Sequence, residues 1–145
     1  MIIVRLMGGL GNQMQQYALY RKYEMQGKEA RLDTSWFDTK IQEKMQAPRP
    51  LELNRFVNLP GKIAAREEIR ALLGRQYEKR ESTWNKVKRK LNPALAPVFE
   101  ESQMYHPEIF AWNRKYLVGY WACEAYYADI LEKLRGEICF PEITD

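Results

Sequence analysis

Cysteine and histidine are scarce in this chain. Its 145 residues include two cysteines, Cys123 and Cys139, and one histidine, His106. Two cysteines cannot form a disulfide framework, and a lone imidazole has no second histidine with which to share a metal ion. Both cysteines have apolar neighbours, so we expect them to be reduced core residues. We also expect no bound metal and no other cofactor.

Long apolar runs are missing as well. The opening segment, residues 1–7, is apolar but short, it is interrupted by Arg5, and glycines follow at once. A secretory signal peptide needs a longer apolar run, and a membrane-spanning helix needs about 20 apolar residues. We therefore expect a cytoplasmic protein.

The rest of the composition is that of one globular domain. Hydrophobic residues make up 46% of the chain and charged residues 29%. A chain of this length can bury roughly 70% of the surface that it exposes when unfolded, so it can form a core without disulfides or metal. We therefore treat residues 1–145 as a single domain.

Positive charge is concentrated in one stretch. The net charge is +4, and residues 61–90 contain 10 lysines and arginines against 4 glutamates. Such a stretch can be a solvated helix face or a surface that contacts anionic lipid. In the second interpretation, residues 62–91 would lie against the inner face of a membrane. We expect no nucleic-acid partner, because no aromatic residues are interleaved in a basic motif.

The first 33 residues have the pattern of a strand, a turn, a helix and a second strand. In residues 1–7, apolar side chains occur at both odd and even positions, so both faces of the segment would be apolar. This pattern is typical of a buried strand. Glycines follow at residues 8–13, and helical spacing then begins at Met14, with Tyr17, Ala18, Arg21 and Met25 on one stripe. Gly27 is expected to end the helix. Residues 30–33 then form the next strand. This order predicts an α/β fold with a parallel sheet and a right-handed crossover.

Further elements are predicted along the rest of the chain. Residues 51–56 could form a short strand, and residues 62–91 have a helical pattern in two pieces that join near Gly74. Residues 116–121 read as a second buried strand, followed by a helix from about residue 124 to residue 135. There is no internal repeat. The chain ends where a further strand would be expected, so we expect a truncated domain.

The glycine turn is the segment most typical of a binding site. A strand that turns into a helix through glycines leaves the first helical N–H groups unpaired, and the helix dipole favours an anion there. Gly8, Gly9 and Gly11 would allow a phosphate or diphosphate to approach closely. The side-chain amides of Asn12 and Gln13 could bind sugar hydroxyls or phosphate oxygens. The same turn could also be purely structural.

A dinucleotide-binding domain is one alternative. Residues 9–14 match half of the G-x-G-x-x-G/A fingerprint, and Asp33 follows Gly11 at nearly the spacing of a ribose-binding acid. Met14 stands where the fingerprint has a third small residue, and its bulk would hold the helix away from the strand. The alternative would make the chain a Rossmann domain of an oxidoreductase that binds NAD or a related nucleotide.

Four segments together resemble one known family. They are IIVRLMGGLGNQMQQYAL at residues 2–19, RLDTSWF at residues 31–37, LELNRF at residues 51–56 and YLVGYWACEAYYADI at residues 116–130. In this order and at this spacing they resemble glycosyltransferase family 11, the bacterial-type α-1,2-fucosyltransferases. The likeness spans most of the chain, and four colinear matches are far more specific than one.

The chain departs from the family pattern at two places. Gln15 stands where the family usually has phenylalanine. The family also carries an H-x-R-R-G-D type motif just beyond this point, with an arginine that holds the donor diphosphate, and this chain has no Arg-Arg pair. The resemblance therefore covers the N-terminal half of such an enzyme, and we expect the C-terminal domain that binds GDP-fucose to be absent.

The resemblance implies both a fold and a reaction. The fold is a Rossmann-like N-terminal domain of GT-B type, and the reaction is inverting, metal-independent transfer of L-fucose from GDP-fucose to the 2-hydroxyl of a terminal galactoside. Gly8, Gly9, Gly11, Asn12 and Gln13 would contact the donor nucleotide, and this domain would contribute to the acceptor site. Asp33 and Glu124, which follow predicted strands, are candidates for the general base.

Two further expectations concern aromatic residues and assembly. Tyr120, Trp121, Tyr126 and Tyr127 could stack on a sugar, but their placement favours the core. The face that would meet a second domain could instead support self-association. A third functional alternative is a non-catalytic binding or remnant domain, because a cleft made by two halves cannot close with one. We expect the isolated chain to have weak transferase activity or none.

Overall fold

The computed structural model describes residues 1–74 and 96–142. Within them the fold is α/β, and the strands form one parallel sheet in the order β2-β1-β4-β3. The strands are β1 (Ile2–Arg5), β2 (Ala30–Asp33), β3 (Val98–Phe99) and β4 (Lys115–Val118). The α-helices are α1 (Leu10–Met25), α2 (Thr39–Gln42), α3 (Arg66–Leu73) and α4 (Leu131–Glu137). The predicted parallel sheet is confirmed.

The sheet is covered by helices on both faces, because successive side chains of a strand point to opposite sides. Ile2 and Val4 of β1 belong to the larger core cluster, which includes α1 and the end of α4. Ile3, between them, belongs to a second cluster together with Leu72 and Leu73 of α3. This double burial explains why the opening strand is apolar on both of its alternating sets.

Helix α1 begins at Leu10, four residues earlier than the sequence pattern predicts. Gly9 is its N-cap, so Gly11, Asn12 and Gln13 belong to the first helical turn and not to a loop. The buried face also differs from the predicted stripe: Tyr17 and Ala18 are buried, but Met25 is 45% exposed. The buried residues of α1 are Gln13, Gln16, Tyr17, Ala18, Leu19, Tyr20 and Tyr23. Two of them are glutamines, which a hydrophobic pattern counts as polar.

Glycine ends two helices as predicted. Gly27, two residues beyond the end of α1, has φ of +74°, and Gly74, directly after α3, has φ of +73°. Both values favour glycine because a Cβ is strained in the left-handed region. The second predicted helical piece after Gly74, and most of the basic stretch at residues 62–91, lie outside the described residues. The predicted membrane contact therefore stays a prediction.

Two predicted elements are wrong. Residues 51–56 hold a short 3₁₀ turn, Leu53–Arg55, in place of a strand. The single helix expected over residues 124–135 is instead two 3₁₀ turns, Glu124–Tyr126 and Ala128–Ile130, followed by α4. The break between the turns is at Tyr127, whose φ of −139° is not helical. Tyr126 and Tyr127 are buried there, so tertiary packing outweighs the helical pattern.

The cysteines are free, but they are not core residues as predicted. Cys123 is half-buried, and Cys139 is exposed. Cys139 follows the last turn of α4, where its thiol contacts the carbonyl oxygens of Arg135 and Gly136. Apolar neighbours in sequence do not bury it, because Phe140 is itself 63% exposed. The sequence analysis also missed strand β3 and the 3₁₀ helix Pro107–Ala111.

Candidate functional site

All described strands run in the same direction, so their carboxyl ends meet at one edge of the sheet. In parallel α/β sheets, ligands bind in the crevice outside this edge. Four segments lie at this edge. They are residues 6–12 after β1, residues 33–35 at the end of β2, residues 100–101 after β3 and residues 119–121 after β4. These segments contain most of the residues predicted to act in binding or catalysis.

The turn between β1 and α1 presents a row of unpaired main-chain amides. Gly9 caps the helix without any side-chain cap. No partner in the described chain accepts a hydrogen bond from the N–H groups of Gly8, Gly9, Leu10, Gly11 and Asn12. These amides lie at the positive end of a 16-residue helix. Together they offer the donors and the positive potential that an anion needs.

The glycines of this turn have different roles. Gly8 has φ of +79°, and a Cβ there would lie 2.6 Å from Nδ2 of Asn12, so the fold itself requires glycine. At Gly9 and Gly11, an added Cβ would meet no heavy atom within 4 Å. The protein therefore does not need glycine at these two positions for packing. An added side chain at either position would therefore not be crowded by the described part of the protein.

The side-chain amide of Gln13 is hydrogen-bonded within the protein and is not free to contact a ligand. Its side chain is fully buried. Nε2 donates to the carbonyl oxygens of Gly8 at 2.9 Å and of Pro50 at 3.0 Å. Oε1 accepts from the main-chain N–H groups of Glu52 at 2.8 Å and Leu53 at 3.3 Å. The ligand contact expected from sequence is thus replaced by a structural role: Gln13 fixes the glycine turn to residues 50–53.

Gln16 links the turn to the neighbouring strand. It is also fully buried. Its Oε1 accepts from the N–H group of Met7, and its Nε2 donates to the carbonyl oxygen of Gly119, each at 2.9 Å. One side chain therefore holds the segments after β1 and β4 side by side. The sequence analysis did not single out Gln16, because the partner segment is 103 residues away.

The two candidate bases occupy very different places. Asp33 is 1% exposed, and both of its carboxylate oxygens have protein partners: Oδ1 accepts from the N–H group of Ser35 at 2.8 Å, and Oδ2 accepts from the hydroxyl of Tyr116. A buried and satisfied carboxylate can neither reach a ribose nor take a proton from a substrate. Glu124 is exposed at the start of a 3₁₀ turn and lines none of the cavities described here.

A cavity of about 170 Å³ lies beside the ends of β3 and β4, and the sequence analysis did not foresee it. We name it the β3–β4 cavity. It is lined by Val98, Phe99, Glu100, Glu101, His106, Glu108, Ile109, Trp112 and Trp121. Its back wall is held by Glu100, whose Oε2 accepts from the main-chain N–H groups of Tyr120 at 2.8 Å and Trp121 at 3.0 Å. The cavity thus joins the carboxyl ends of two adjacent strands.

Two polar atoms on side chains that line the cavity have no partner. Oε1 of Glu100 and Nε1 of Trp121 are shut off from solvent and make no hydrogen bond with the described part of the protein. Leaving such a group unpaired costs about 1–3 kcal/mol. Trp121 also has φ of +54°, a conformation that is rare for a bulky residue. Strain and unsatisfied polar groups of this kind cluster at functional sites.

His106 lies on the rim of the cavity in a short hydrogen-bonded loop. Its Nε2 is 3.0 Å from Oγ of Ser102, and its Nδ1 is 3.1 Å from Oε1 of Glu108. The loop is anchored by Tyr126, whose hydroxyl accepts from the His106 main-chain N–H at 3.0 Å and donates to the Met104 carbonyl at 3.1 Å. Burial raises the pKa of Tyr126, so the hydroxyl keeps the proton that it donates.

The aromatic residues after β4 divide between core and surface. Trp121, Tyr126 and Tyr127 are buried, which confirms the expected core placement for these three. Tyr120 is 46% exposed, so the expectation is wrong for it. Tyr120 and Trp121 are successive residues whose main-chain amides both bind Glu100, but Trp121 is 2% exposed, so burial changes within one residue.

Comparisons with family models, with curated proteins and with solved structures find no match to this chain. Among residues 1–74 and 96–142, no helix has the length and apolarity to cross a membrane. The same residues contain no group of three or more histidine, cysteine or acidic side chains placed to hold a metal ion. Function is therefore inferred from the carboxyl edge of the sheet and from the motif resemblance.

Proposed function

We propose that this chain is the N-terminal, Rossmann-like domain of a GT-B-type α-1,2-fucosyltransferase. The reaction would transfer L-fucose from GDP-fucose to the 2-hydroxyl of a terminal galactoside. One observation carries the proposal: the unpaired amides of residues 8–12 stand at the carboxyl edge of a parallel sheet, where helix α1 begins. They occur within GGLGNQM, the segment that most resembles the fucosyltransferase family.

The chemistry explains why such amides would matter. In the transfer, the acceptor oxygen forms a bond to C1 of fucose, and the bond from C1 to the diphosphate oxygen breaks. The electron pair of the broken bond stays on the diphosphate, and the acceptor hydroxyl loses its proton. Negative charge therefore grows on the leaving group, and fixed hydrogen-bond donors aimed at it are usually the largest catalytic contribution. We assign that role to the main-chain N–H groups of Gly8, Gly9, Gly11 and Asn12.

The remaining contacts to GDP would come from a second domain. The chain has no Arg-Arg pair, and the amides of one helix end can neutralise only part of a diphosphate charge. The turn would thus reach the donor nucleotide from one side of a cleft. Gln13 would contribute indirectly, by holding the turn against residues 50–53 through its buried amide.

The dinucleotide alternative receives less support. It required Asp33 to bind a ribose hydroxyl, but both oxygens of this buried carboxylate are already bonded to Ser35 and Tyr116. Met14 remains where the dinucleotide fingerprint has a small residue.

The test is a titration in which NMR monitors the main-chain amide signals of the chain. GDP-fucose at millimolar concentration should shift the amide signals of residues 8–12, and NADH at the same concentration should not. Gly11→Ala should weaken this response at least threefold, because it adds a side chain within the row of amides. Gly136→Ala is the matched control, since it also adds a Cβ that meets nothing within 4 Å, in helix α4.

Both substitutions should raise stability slightly, by about 0.5–1 kcal/mol, because glycine is unfavourable inside a helix. A loss of nucleotide response in Gly11→Ala alone would therefore not be a folding effect. An equal response to NADH, or shifts confined to other parts of the chain, would refute the proposed donor contact.

A further inference from the structure

We infer that Ser102 is a nucleophile activated by His106, and that it accepts the acyl group of a small, uncharged ester. This inference goes beyond the proposed function and does not rest on it. A nucleophilic serine needs a base within hydrogen-bond reach of its hydroxyl and a third group that orients the base. Ser102, His106 and Glu108 provide these three groups within one loop.

The three side chains are joined through the atoms that this chemistry uses. Oγ of Ser102 is 3.0 Å from Nε2 of His106, and Nδ1 of the same ring is 3.1 Å from Oε1 of Glu108. In the tautomer with the ring proton on Nδ1, the imidazole donates to the carboxylate and accepts from the serine hydroxyl. This is the arrangement in which histidine acts as the base for a serine and a carboxylate orients the ring.

The main chain also supports the serine. The N–H group of Met104 donates to Oγ of Ser102 at 3.3 Å. Because this bond uses a lone pair of the oxygen, the hydroxyl proton stays available for Nε2 of His106. The same N–H group is one donor that would stabilise negative charge on Oγ as the proton leaves.

The loop is held in place by a residue outside the three. Tyr126 is fully buried, and its ring packs against Tyr105 with centroids 5.1 Å apart. Its hydroxyl accepts from the main-chain N–H of His106 at 3.0 Å and donates to the carbonyl oxygen of Met104 at 3.1 Å. These bonds involve main-chain atoms of the loop. The side chains of residues 102, 106 and 108 can therefore be replaced without removing this anchor.

The serine is accessible to a substrate. Ser102 is exposed, and the side chain of His106 is 37% exposed. His106 lines the β3–β4 cavity, as does Glu101, the residue before Ser102 in the chain. An ester bound with its carbonyl carbon at Oγ would therefore have the cavity beside it.

The lining of the cavity indicates which acyl groups fit. Its volume of about 170 Å³ is enough for a short acyl chain, and three of its lining residues are aromatic. The lining also includes Glu100, Glu101 and Glu108, which would repel an acyl group with a carboxylate of its own. The site thus favours acetyl and other short, uncharged groups over succinyl.

The reaction consumes only ester and water. Oγ of Ser102 bonds to the carbonyl carbon, and Nε2 of His106 takes the hydroxyl proton. The bond from this carbon to the alcohol oxygen then breaks, and the alcohol leaves with the proton from His106. Water attacks the acyl-serine by the same route, which releases the carboxylic acid and restores the hydroxyl. Glu108 is a positioning residue, which holds the ring and stabilises its positive charge.

The experiment treats the folded chain with 4-nitrophenyl acetate and, separately, with a fluorophosphonate, and locates the modified residue by mass spectrometry. We expect a rapid release of 4-nitrophenol with the acetyl group on Ser102, and labelling of the same residue by the fluorophosphonate. Ser102→Ala should abolish both. His106→Ala should slow acylation about tenfold or more. Ser35→Ala is the matched control and should change neither, since the Ser35 main-chain bond to Asp33 remains.

Two further measurements test the geometry. Glu108→Gln should slow acylation about three- to tenfold, and Glu108→Asp, which keeps a carboxylate, should recover part of the rate. A chain unfolded in urea should lose the reaction, because the three side chains are then no longer held together.

Other results would overturn the inference. Equal rates for Ser102→Ala and the parent chain would do so, as would acetylation of His106 or of lysines without acetylation of Ser102. Unchanged acylation in urea would show that the folded arrangement does not activate the serine. Equal rates for Glu108→Gln and the parent would contradict the role given to Glu108.

Discussion

Two glutamines of α1 organise the carboxyl edge of the sheet. Gln13 satisfies two carbonyl oxygens and two N–H groups of the glycine turn and of residues 50–53. Gln16 does the same for Met7 and Gly119. Buried polar groups of this kind are stabilising only when every partner is satisfied. The glutamines of the GNQMQQ segment therefore shape the site without being part of it.

Replacing Gln13 should lower the stability of the fold, whereas replacing Gln15 should not. Gln13→Leu would leave main-chain groups of Gly8, Pro50, Glu52 and Leu53 unpaired, and we expect a loss of about 3 kcal/mol in the free energy of unfolding. The control is Gln15→Leu. Gln15 is half-buried and lines an apolar groove between α1 and α4, so its replacement should change stability by less than about 0.5 kcal/mol or raise it.

Urea unfolding of the two variants beside the parent chain measures both values. Equal stabilities of the Gln13 and Gln15 variants would contradict the structural role given to Gln13. The groove between α1 and α4 is lined mainly by apolar side chains, and Gln15 is a polar residue on it. A phenylalanine at residue 15 would add apolar surface against Leu131, Leu134 and Ile138, which glutamine does not supply.

At the level of elements, α1 and α4 are joined by a partly buried ionic contact. Glu137 accepts from the hydroxyl of Tyr17 at 2.7 Å and from Nε and Nη2 of Arg21 at 2.9 and 2.7 Å. Burial alone would raise the pKa of Glu137, but the hydrogen bonds from Arg21 and Tyr17 outweigh it and lower the pKa. Arg21, which lies on the predicted stripe of α1, thus has a specific partner 116 residues away.

This contact predicts a pH dependence of stability. Because the folded pKa of Glu137 is lowered, the unfolded chain takes up the proton first as the pH falls. The contribution is complete above the ordinary value of 4.5 and is lost as the pH falls through the folded pKa. Glu137→Gln should therefore be less stable than the parent by about 2 kcal/mol at neutral pH, and the difference should shrink at acid pH.

Thermal or urea unfolding between pH 7 and pH 3 tests this prediction. Glu132→Gln is a suitable control, since Glu132 lies on the same helix but its side chain is 87% exposed and pairs only with Arg135 in the described structure. Surface pairs of this kind contribute little. A stability difference for Glu137→Gln that stays constant over this range would argue against the assigned contact.

At the scale of the whole molecule, exposed apolar side chains gather around the β3–β4 cavity. Phe99 lines it, Met104 and Tyr105 precede His106 on the rim loop, and Tyr120 precedes Trp121. All four are exposed by 44% or more. Exposed apolar groups that adjoin a proposed site are typical of an interaction surface. The expected contact with a second domain and the expected self-association stay predictions.

The proposed reaction needs contacts on both sides of the donor. We expect this chain alone to transfer fucose from GDP-fucose to a galactoside weakly or not at all, because one row of amides cannot hold and activate a diphosphate by itself. Release of GDP measured with and without acceptor would test this expectation. Robust turnover by these 145 residues would show that the site is complete within them.

The sequence by itself determined three of the four described strands, β1, β2 and β4, and the glycines at which two helices end. Apolar residues on both alternating sets predicted β1 and β4, and Gly27 and Gly74 predicted where helices end. These features depend on the hydrophobicity of side chains and on the backbone freedom of glycine. Both are properties of the residue itself and do not depend on its tertiary contacts. The unpaired amides of the glycine turn were likewise predictable, because a helix end always leaves its first N–H groups without partners.

Only the tertiary structure decided which polar residues are committed to the fold and which remain open. Gln13 and Asp33, two predicted site residues, are buried with partners of their own. Glu100 and Trp121 line one cavity, and each has a buried polar atom without a partner in the described part of the chain. The bonds that make this difference join residues from 20 to more than 80 positions apart. A local pattern reports burial, but it cannot report which distant group completes a hydrogen bond.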